Sequence, residues 1–594
     1  MANLGSLSVA VSGMNAARMG LNVVGHNLAN STAPGFSRQR ILQHNFAYVN
    51  FQGASRANLN SGRGGTDPMQ RGLGTNVTST TQIRDLFIDI SYRRELGRLG
   101  FHAPIADTGF EIEMLLSELH GALPTQTVFN DIWDALNELS VNQSGLEVRN
   151  NFIATAVTFL NKMNSVHSHL RAYQQNLNNQ VKSTVIRVNQ LLEQVAQLNV
   201  SIAANEGHSL RDDRWFFGDN ANDLRDRRNN ALDELSSLLH ITFWEDARGM
   251  VSIRSGGSEL LSGGIDVNRI GLKQSAPGTN LVLPVITNSR DVLPYDAPSG
   301  TYQLLFDVND EIAAHRGNDS GRLLGLIIAR GLSEEDSYSP QRLAAAQLAG
   351  DQAEYDRIRF NLTTSMIPRT MMQIDTLFNQ VITMINNAVS PITAAGERDP
   401  NAPFDANNER THLPVFVRNY ANGTYVPRFV DDGSGTYVYV QPNPYDPTEA
   451  NTLYRIGNVF INPALLRDGG PNLLALSLSA NAQDDTTLVL DLMEQWKSEN
   501  VVFFGMDHRP MSLDTAYRQM ITDNSNATSQ ALGFVREQTT LVQAIDNRRQ
   551  SVMSVSMDEE LSFMLTFQHA YNANARMVNM LDSMMDTIIN QMGR

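Results

Sequence analysis

The sequence predicts an α+β multidomain protein: an elongated helical coiled coil or bundle built from both chain termini, with β-rich domains inserted into it. Three observations carry this reading. The 594 residues are too many for one hydrophobic core, so about three or four domains are expected. Apolar residues at helical spacing gather at both ends of the chain and in one long proline-free stretch, while turn-rich segments between them read as short strands. With 42% apolar and 18% charged residues, the composition is that of a folded protein. The resulting division is a terminal coiled-coil core (residues 1–50 with 551–594), a helical bundle (51–240 with 319–390 and 482–550), a β-rich insert (241–318) and a second β-rich insert (391–481).

In chain order, Leu4, Leu7, Val11, Met14, Leu21 and Leu28 follow a three-four spacing interrupted by Arg18 and Gly25, which predicts an amphipathic helix. Asn30 suits its C-terminus, Ala33 is pushed extended by the next residue, and Pro34-Gly35 suits a type II turn. Beyond that turn Phe36 would anchor the chain, while Arg38 and Arg40 offer polar contacts. Between about Glu147 and Glu206, Leu170, Tyr173, Leu177, Val181, Val188, Leu192, Val195, Leu198 and Ile202 recur at near-heptad spacing, with Gln and Asn filling the other faces. No proline interrupts residues 125–276, so a rod of roughly 90 Å is expected at 1.5 Å per residue.

Near His240 the pattern changes. Ile241-Thr242-Phe243-Trp244, Met250-Val251-Ser252-Ile253 and Tyr302-Gln303-Leu304-Leu305-Phe306 read as short strands between Gly-rich turns. Helical periodicity resumes over about 321–389, a proline-punctuated β block follows over about 391–481 with a hairpin-like turn at Asp432-Gly433-Ser434-Gly435, and helix returns from about Thr487. The last helix is expected to start near Ser556, where Ser556 and Glu559 form a capping box and Asp558, Glu559 and Glu560 suit the positive end of the helix dipole. Two apolar stripes run side by side along it, Leu561, Met564, Tyr571, Ala575, Val578, Met585 and Ile589 in one, Phe567 and Leu581 in the other. That face is too wide for a two-stranded seam, so it should touch more than one neighbour.

Several classes of function find no support. A net charge of −16 without a Lys/Arg stripe argues against nucleic acid. The absence of cysteine removes disulfides, thiol catalysis and thiolate metal sites. The start carries no basic n-region and no continuous apolar run, so neither a cleaved signal peptide nor membrane insertion is expected. His167 and His169 point to different helix faces, and no metal-ligand spacing such as HExxH occurs. The glycines of Gly62-Arg63-Gly64-Gly65 and Gly72-Leu73-Gly74 lack the Gly-Lys-Ser/Thr of a phosphate loop and read as an irregular connection. Asp431 to Gly435 resembles a fragment of a calcium loop without its closing Glu, so a turn is expected. No paired carboxylates imply acid/base work. The reading is of a non-enzyme with no catalytic residues, metal or cofactor.

The terminal segments are more specific. Ser12-Gly13-Met14-Asn15-Ala16-Ala17, then Asn27-Leu28-Ala29-Asn30 and Pro34-Gly35-Phe36, resemble the N-terminal signature of flagellar rod, hook and hook-associated proteins, and Ser37-Arg38-Gln39-Arg40 resembles the first hook-associated protein family. Ser556-Met557-Asp558-Glu559-Glu560 and Phe567-Gln568-His569-Ala570-Tyr571-Asn572-Ala573-Asn574-Ala575 are similar to that family's C-terminal signature, and Asn222 to Arg228 leading to Leu232-Asp233-Glu234-Leu235 to an internal one. The resemblance covers both ends and the long helical section, not the β-rich inserts.

It implies a structural subunit of the bacterial flagellum at the hook–filament junction, extracellular, made in the cytoplasm and exported by the flagellar type III apparatus. The implied partners are further copies of itself in a ring or helical layer of roughly eleven subunits, the hook protein, a second hook-associated junction protein, and a cytoplasmic export chaperone on the C-terminal helix. Residues 551–594 hold eight of the chain's 23 Met, a soft surface suited to more than one partner. The expected assembly surface is Leu4, Leu7, Val11, Met14, Leu21, Asn27, Leu28, Asn30, Pro34, Gly35, Phe36, Arg38, Gln39 and Arg40 at the N-terminus. At the C-terminus the assembly and chaperone surface is Leu561, Met564, Phe567, Tyr571, Ala575, Val578, Leu581, Met585 and Ile589. The ends are expected to be disordered or molten in the monomer and to fold on joining the axial structure. The alternatives are a hook or distal-rod subunit, which would share both termini, and an enzyme carried on a flagellar scaffold.

Overall fold

The computed structural model describes residues 2–45, 49–51, 69–71, 74–116, 124–206, 209–211, 214–216, 220–275, 280–287, 294–295, 302–306, 317–332, 346–347, 349–419, 425–440, 454–482, 484–503, 509–587 and 590. The chain opens with α1 (Ala2–Ala29), followed by β1 (Gln39–Asn45), β2 (Val49–Phe51), β3 (Met69–Arg71) and β4 (Thr75–Gln82). β1 pairs antiparallel with β4, and β2 with β3. Three long helices come next: α2 (Leu86–Leu116), α3 (Thr125–Val141) and α4 (Leu146–Glu206). After the short hairpin of β5 (Ser209–Arg211) and β6 (Arg214–Phe216) comes α5 (Asn222–Leu238).

The first β-rich part holds two four-stranded sheets. β7 (Thr242–Glu245), β8 (Val251–Ser255), β9 (Ser258–Ser262) and β10 (Asp266–Val267) form a meander, and β11 (Ile270–Gln274), β12 (Val282–Thr287), β13 (Pro294–Tyr295) and β14 (Tyr302–Leu304) make a sheet ordered 13-11-12-14. The chain returns through α6 (Arg322–Arg330), α7 (Gln352–Thr363) and α8 (Met366–Val389). β15 (Phe416–Asn419), β16 (Tyr425–Val426), β17 (Phe429–Asp431), β18 (Tyr437–Tyr439) and β19 (Val459–Ile461) follow, then α9 (Thr487–Lys497), α10 (Leu513–Met553) and α11 (Met557–Asp586). The β17–β18 hairpin turns at Asp432-Gly433-Ser434-Gly435, where the Asp431 carboxylate accepts the N–H groups of Gly433 and Gly435. Among the described residues no helix is long and apolar enough to cross a membrane.

The expected rod is α4, 61 residues long and so roughly 90 Å. Its apolar stripe lies in a continuous core with side chains of α2, α3, α5, α6, α8 and α10. One expectation fails along it: its Asn residues do not all fill solvent faces. Asn178, Asn189 and Asn199 are buried and aim their amides at the first β-rich part. Asn189 donates to Ile270 O at 2.8 Å and accepts from Ile270 N at 2.9 Å. Asn199 does the same with Val251, at 2.8 and 3.1 Å. Asn178 spans Asn280 O and Val282 N. On α8, Asn386 pairs with Phe416 N and O at the second β-rich part. A side-chain amide offers one donor and one acceptor in the geometry of a peptide group, so each of these residues continues a strand's hydrogen bonding into the side of a helix. Periodicity hides such residues because they are polar and yet buried.

Strands β1 to β4 are not announced by apolar alternation either. Gly62, Gly64, Gly65 and Gly72, read as an irregular connection, lie outside the described residues. Gly74 has φ +103°, and a Cβ there would stand 2.2 Å from Ser12 Oγ. The close approach of β4 to α1 therefore requires glycine at this position.

Candidate assembly interface

α1 and α11 run antiparallel, side by side, and join the two ends of the chain. On α11 the seam is a three-four series: Glu560, Met564, Phe567, Tyr571, Asn574, Val578, Leu581 and Met585 are all buried or half-buried. It draws on both apolar stripes of the sequence. Ala575 lies half-buried beside it, Leu561 is exposed, and Ile589 lies outside the described residues.

On the α1 side the contact within the chain uses, Asn27 apart, other residues than the expected assembly surface. Its seam is Ala10, Gly13, Ala17, Gly20, Val24 and Asn27, again at three-four spacing, while Leu7, Val11, Met14, Leu21 and Leu28 are only half-buried on the adjoining face. Leu4 lies in the same helix. A Cβ at Gly20 would stand 2.7 Å from the Phe567 ring, and one at Gly13 2.8 Å from the Asn574 amide. Small residues let the two helices approach until the larger α11 side chains lie against the α1 backbone. A search for large apolar residues finds the neighbouring stripe instead.

Among the polar residues that α11 leaves uncovered stand several large apolar ones. Met557, Leu561, Phe563, Leu565, Met577, Met580 and Met584 are exposed, and Leu565 keeps 56% of its surface in water. Single exposed apolar residues are ordinary, but seven on one 30-residue helix form a surface suited to a partner.

At the base of this pair, three sequence motifs meet. Asn30 caps α1 by donating to His26 O from both backbone and side chain. Phe36 N–H closes the turn on Ala33 O, with Gly35 at φ +73° as a type II turn requires. A Cβ on Gly35 would meet the Asn230 amide at 2.0 Å. Pro34 is exposed, and Phe36 sits edge-on to His26 at 5.5 Å. Ser37 then donates to Asp226 through its N–H (3.0 Å) and its hydroxyl (2.7 Å). Arg38 grips the start of α11, Nε to Glu560 at 2.7 Å and Nη1 to Glu559 at 2.7 Å. Asn27 pairs its amide with both backbone groups of Gln39 and also donates to Glu560. The Gln39 side chain reaches Asp223 and Asn222 on α5. Arg40 is exposed on β1.

The expected capping box is half formed. The Ser556 side chain accepts the Glu559 N–H, while the Glu559 carboxylate turns to Arg38.

Further charges lock the joint to the helical part. Arg84 bridges Asp226 and Asp89, and Arg549 bridges Asp233 and Asp89 while lying 4.0 Å from the Tyr92 ring centre. Arg93 holds the other oxygen of Asp233 at 2.6 Å. Burial pushes the Asp226 carboxyl up, against the pull of Ser37 and Arg84. Buried pairs of this kind give geometric definition more surely than net stability. Ser37, Asp223, Asp226, Arg84, Glu559 and Glu560 are not among the expected interface residues. Their signal is adjacency to the terminal and internal motifs, whose partners are far apart in sequence.

A helical rod joined to a two-helix element made from both termini, through a joint of buried charge pairs, is the architecture of an elongated structural protein. Residues 111–329 match the model of the flagellar hook-associated protein FlgK helical domain, and 538–592 match the C-terminal model of flagellar basal body rod FlgEFG proteins. The chain is 24% identical to flagellar hook-associated protein 1 of Bacillus subtilis over 99% of this chain and 98% of that one. To its counterpart in Escherichia coli it is 22% identical, over 98% of each. The solved structure of the flagellar hook junction protein FlgK from Burkholderia pseudomallei shares the fold, with a TM-score of 0.50 at 14% identity over 80% of this chain and all of that one. Over nearly its whole length the chain is thus similar to flagellar hook-associated protein 1.

Proposed function

We propose that this chain is the structural subunit that joins hook to filament, adapting one lattice to the next, and that it carries out no catalysis. The carrying observation is the α1–α11 pair: closed on itself along a small-residue seam, held at its base by Arg38 and tied to the helical part by Ser37, yet exposing seven large apolar side chains. Covering them contributes about 25 cal/mol per Å² of apolar area, which favours polymerisation over a free subunit. Roughly eleven copies would form a ring or helical layer, with the hook protein below and the second hook-associated protein above. Before export by the flagellar type III apparatus, a cytoplasmic chaperone would cover the same α11 face. The proposed domain division keeps the terminal core (1–50 with 551–594), the helical bundle (51–240, 319–390 and 482–550) and two β-rich inserts (241–318 and 391–481).

Electron microscopy of cells lacking the protein tests this reading. Finished hooks without filaments, with flagellin shed into the medium, are expected. Loss of the hooks would favour the hook or distal-rod alternative, and intact flagella would overturn both.

A further inference from the structure

The methionines of this chain divide by place. Met163, Met366, Met372, Met384, Met520 and Met553 are buried in the helical part. Among the described residues six methionines are exposed, and five of them lie on the terminal pair: Met19 on α1, and Met557, Met577, Met580 and Met584 on α11. The last three are 37%, 53% and 48% exposed, and their three-four spacing sets them on one side of the helix. They directly precede Val578, Leu581 and Met585 of the seam, so this thioether ridge borders the contact with α1 without entering it. We propose that Met577, Met580 and Met584 are a modification site for hydrogen peroxide: oxidised to sulfoxides in the uncovered chain, they block assembly through α11. This rests on the proposed covering of α11 by partners.

The chemistry follows from exposure and composition. A thioether sulfur attacks one peroxide oxygen, the O–O bond breaks, an S–O bond forms, and the second oxygen leaves as water with both peroxide hydrogens. Sulfur loses two electrons and the peroxide gains them. Oxidation of this kind selects exposed sulfur, and the cysteine-free chain offers no thiolate to react first. The product keeps methionine's length but carries a polar S=O group. Three such groups turn an apolar ridge into one whose oxygens must be hydrogen-bonded when covered. The seam is spared, because its Met564 and Met585 are half-buried and Glu560 keeps Arg38 and Asn27 as partners. The modified chain therefore keeps its fold and loses its outward contacts.

Peroxide treatment of the purified full-length chain is the first test. By peptide mass spectrometry, sulfoxide at Met577, Met580 and Met584 should form about tenfold faster than at Met163 and Met520, with the circular dichroism spectrum unchanged. Equal rates, or loss of helix as the three oxidise, would overturn the site. The second test separates polarity from shape in cells, counting incorporation per hook by immunolabelling. Met577→Leu, Met580→Leu and Met584→Leu together leave an apolar ridge that peroxide cannot oxidise, and this chain should be incorporated like the parent. The three Met→Gln changes at the same positions put a polar group in residues of good helix propensity, and incorporation should fall about tenfold. Normal incorporation of the Gln chain, or equal loss in both variants, would overturn the block. A sublethal peroxide pulse during flagellar growth should lower labelling of the parent and spare the Leu chain; equal lowering would rule out these sulfurs as the target. Absence of the untreated parent from flagella would instead defeat the assembly reading itself, and the peroxide map would show that the methionine chemistry had not failed with it.

Discussion

Helices α4 and α11 look alike as amphipathic sequences and behave oppositely in the fold. α4 buries 23 of its 61 residues against neighbours in its own chain. α11 buries two of 30, Glu560 and Leu581. The first is satisfied internally and serves as the molecule's spine. The second is held only along one seam and at its base, so its stability and its partners are the same question. An apolar stripe therefore does not distinguish a core helix from an assembly helix; the distinction is whether the chain supplies enough surface to cover it.

The largest effect expected from testing this contrast is in the spine. Leu192→Ala should cost ~2–5 kcal/mol in denaturant unfolding, whereas Leu561→Asp on α11 should leave monomer unfolding within ~0.5 kcal/mol and abolish filament formation in cells. Equal loss of stability in the two variants would erase the contrast.

Buried charge in α8 gives the next effect, and it depends on pH. Asp375 is buried, accepts the Ile456 N–H at 2.8 Å, and burial pushes its carboxyl up to about 7. Because the folded value lies above the unfolded one, its contribution to stability is fully present below about pH 4 and is lost as pH rises through about 7. Asp375→Asn should therefore be near neutral at pH 4 and stabilising by ~2–4 kcal/mol at pH 8. Thermal melts at the two pH values decide it, and a variant destabilised equally at both would contradict the assignment.

At the joint, Arg38→Ala leaves Glu560 buried with Asn27 as its remaining side-chain partner. A loosening of ~2–3 kcal/mol is expected, seen as faster hydrogen exchange in α11 with α4 unchanged. Smaller again, Asn189→Ala should cost ~1–3 kcal/mol by leaving Ile270 N and O unpaired. It should speed exchange in β11 before it affects α11.

Much of the architecture is legible in the sequence. The span of α4 follows from apolar spacing without proline, the start of α11 from Ser556 and its acidic first turn, and the Pro34-Gly35 turn from residue chemistry alone. The seam of α1 is not, because Ala10, Gly13, Ala17 and Gly20 are informative only once a partner helix lies against them. The Asn contacts escape for the same reason: an asparagine on a helix reads as solvent-facing until a strand edge is placed beside it.

The sequence by itself determined the local elements and the class of protein, since helix periodicity, capping and turn chemistry are short-range and the terminal motifs are contiguous. Only the tertiary structure decided that Ser37, Arg38 and Gln39 engage Asp226, Glu560 and Asn222, residues 183 to 522 positions away. Such contacts depend on which surfaces the packed helices bring within hydrogen-bond distance, and no local pattern encodes that.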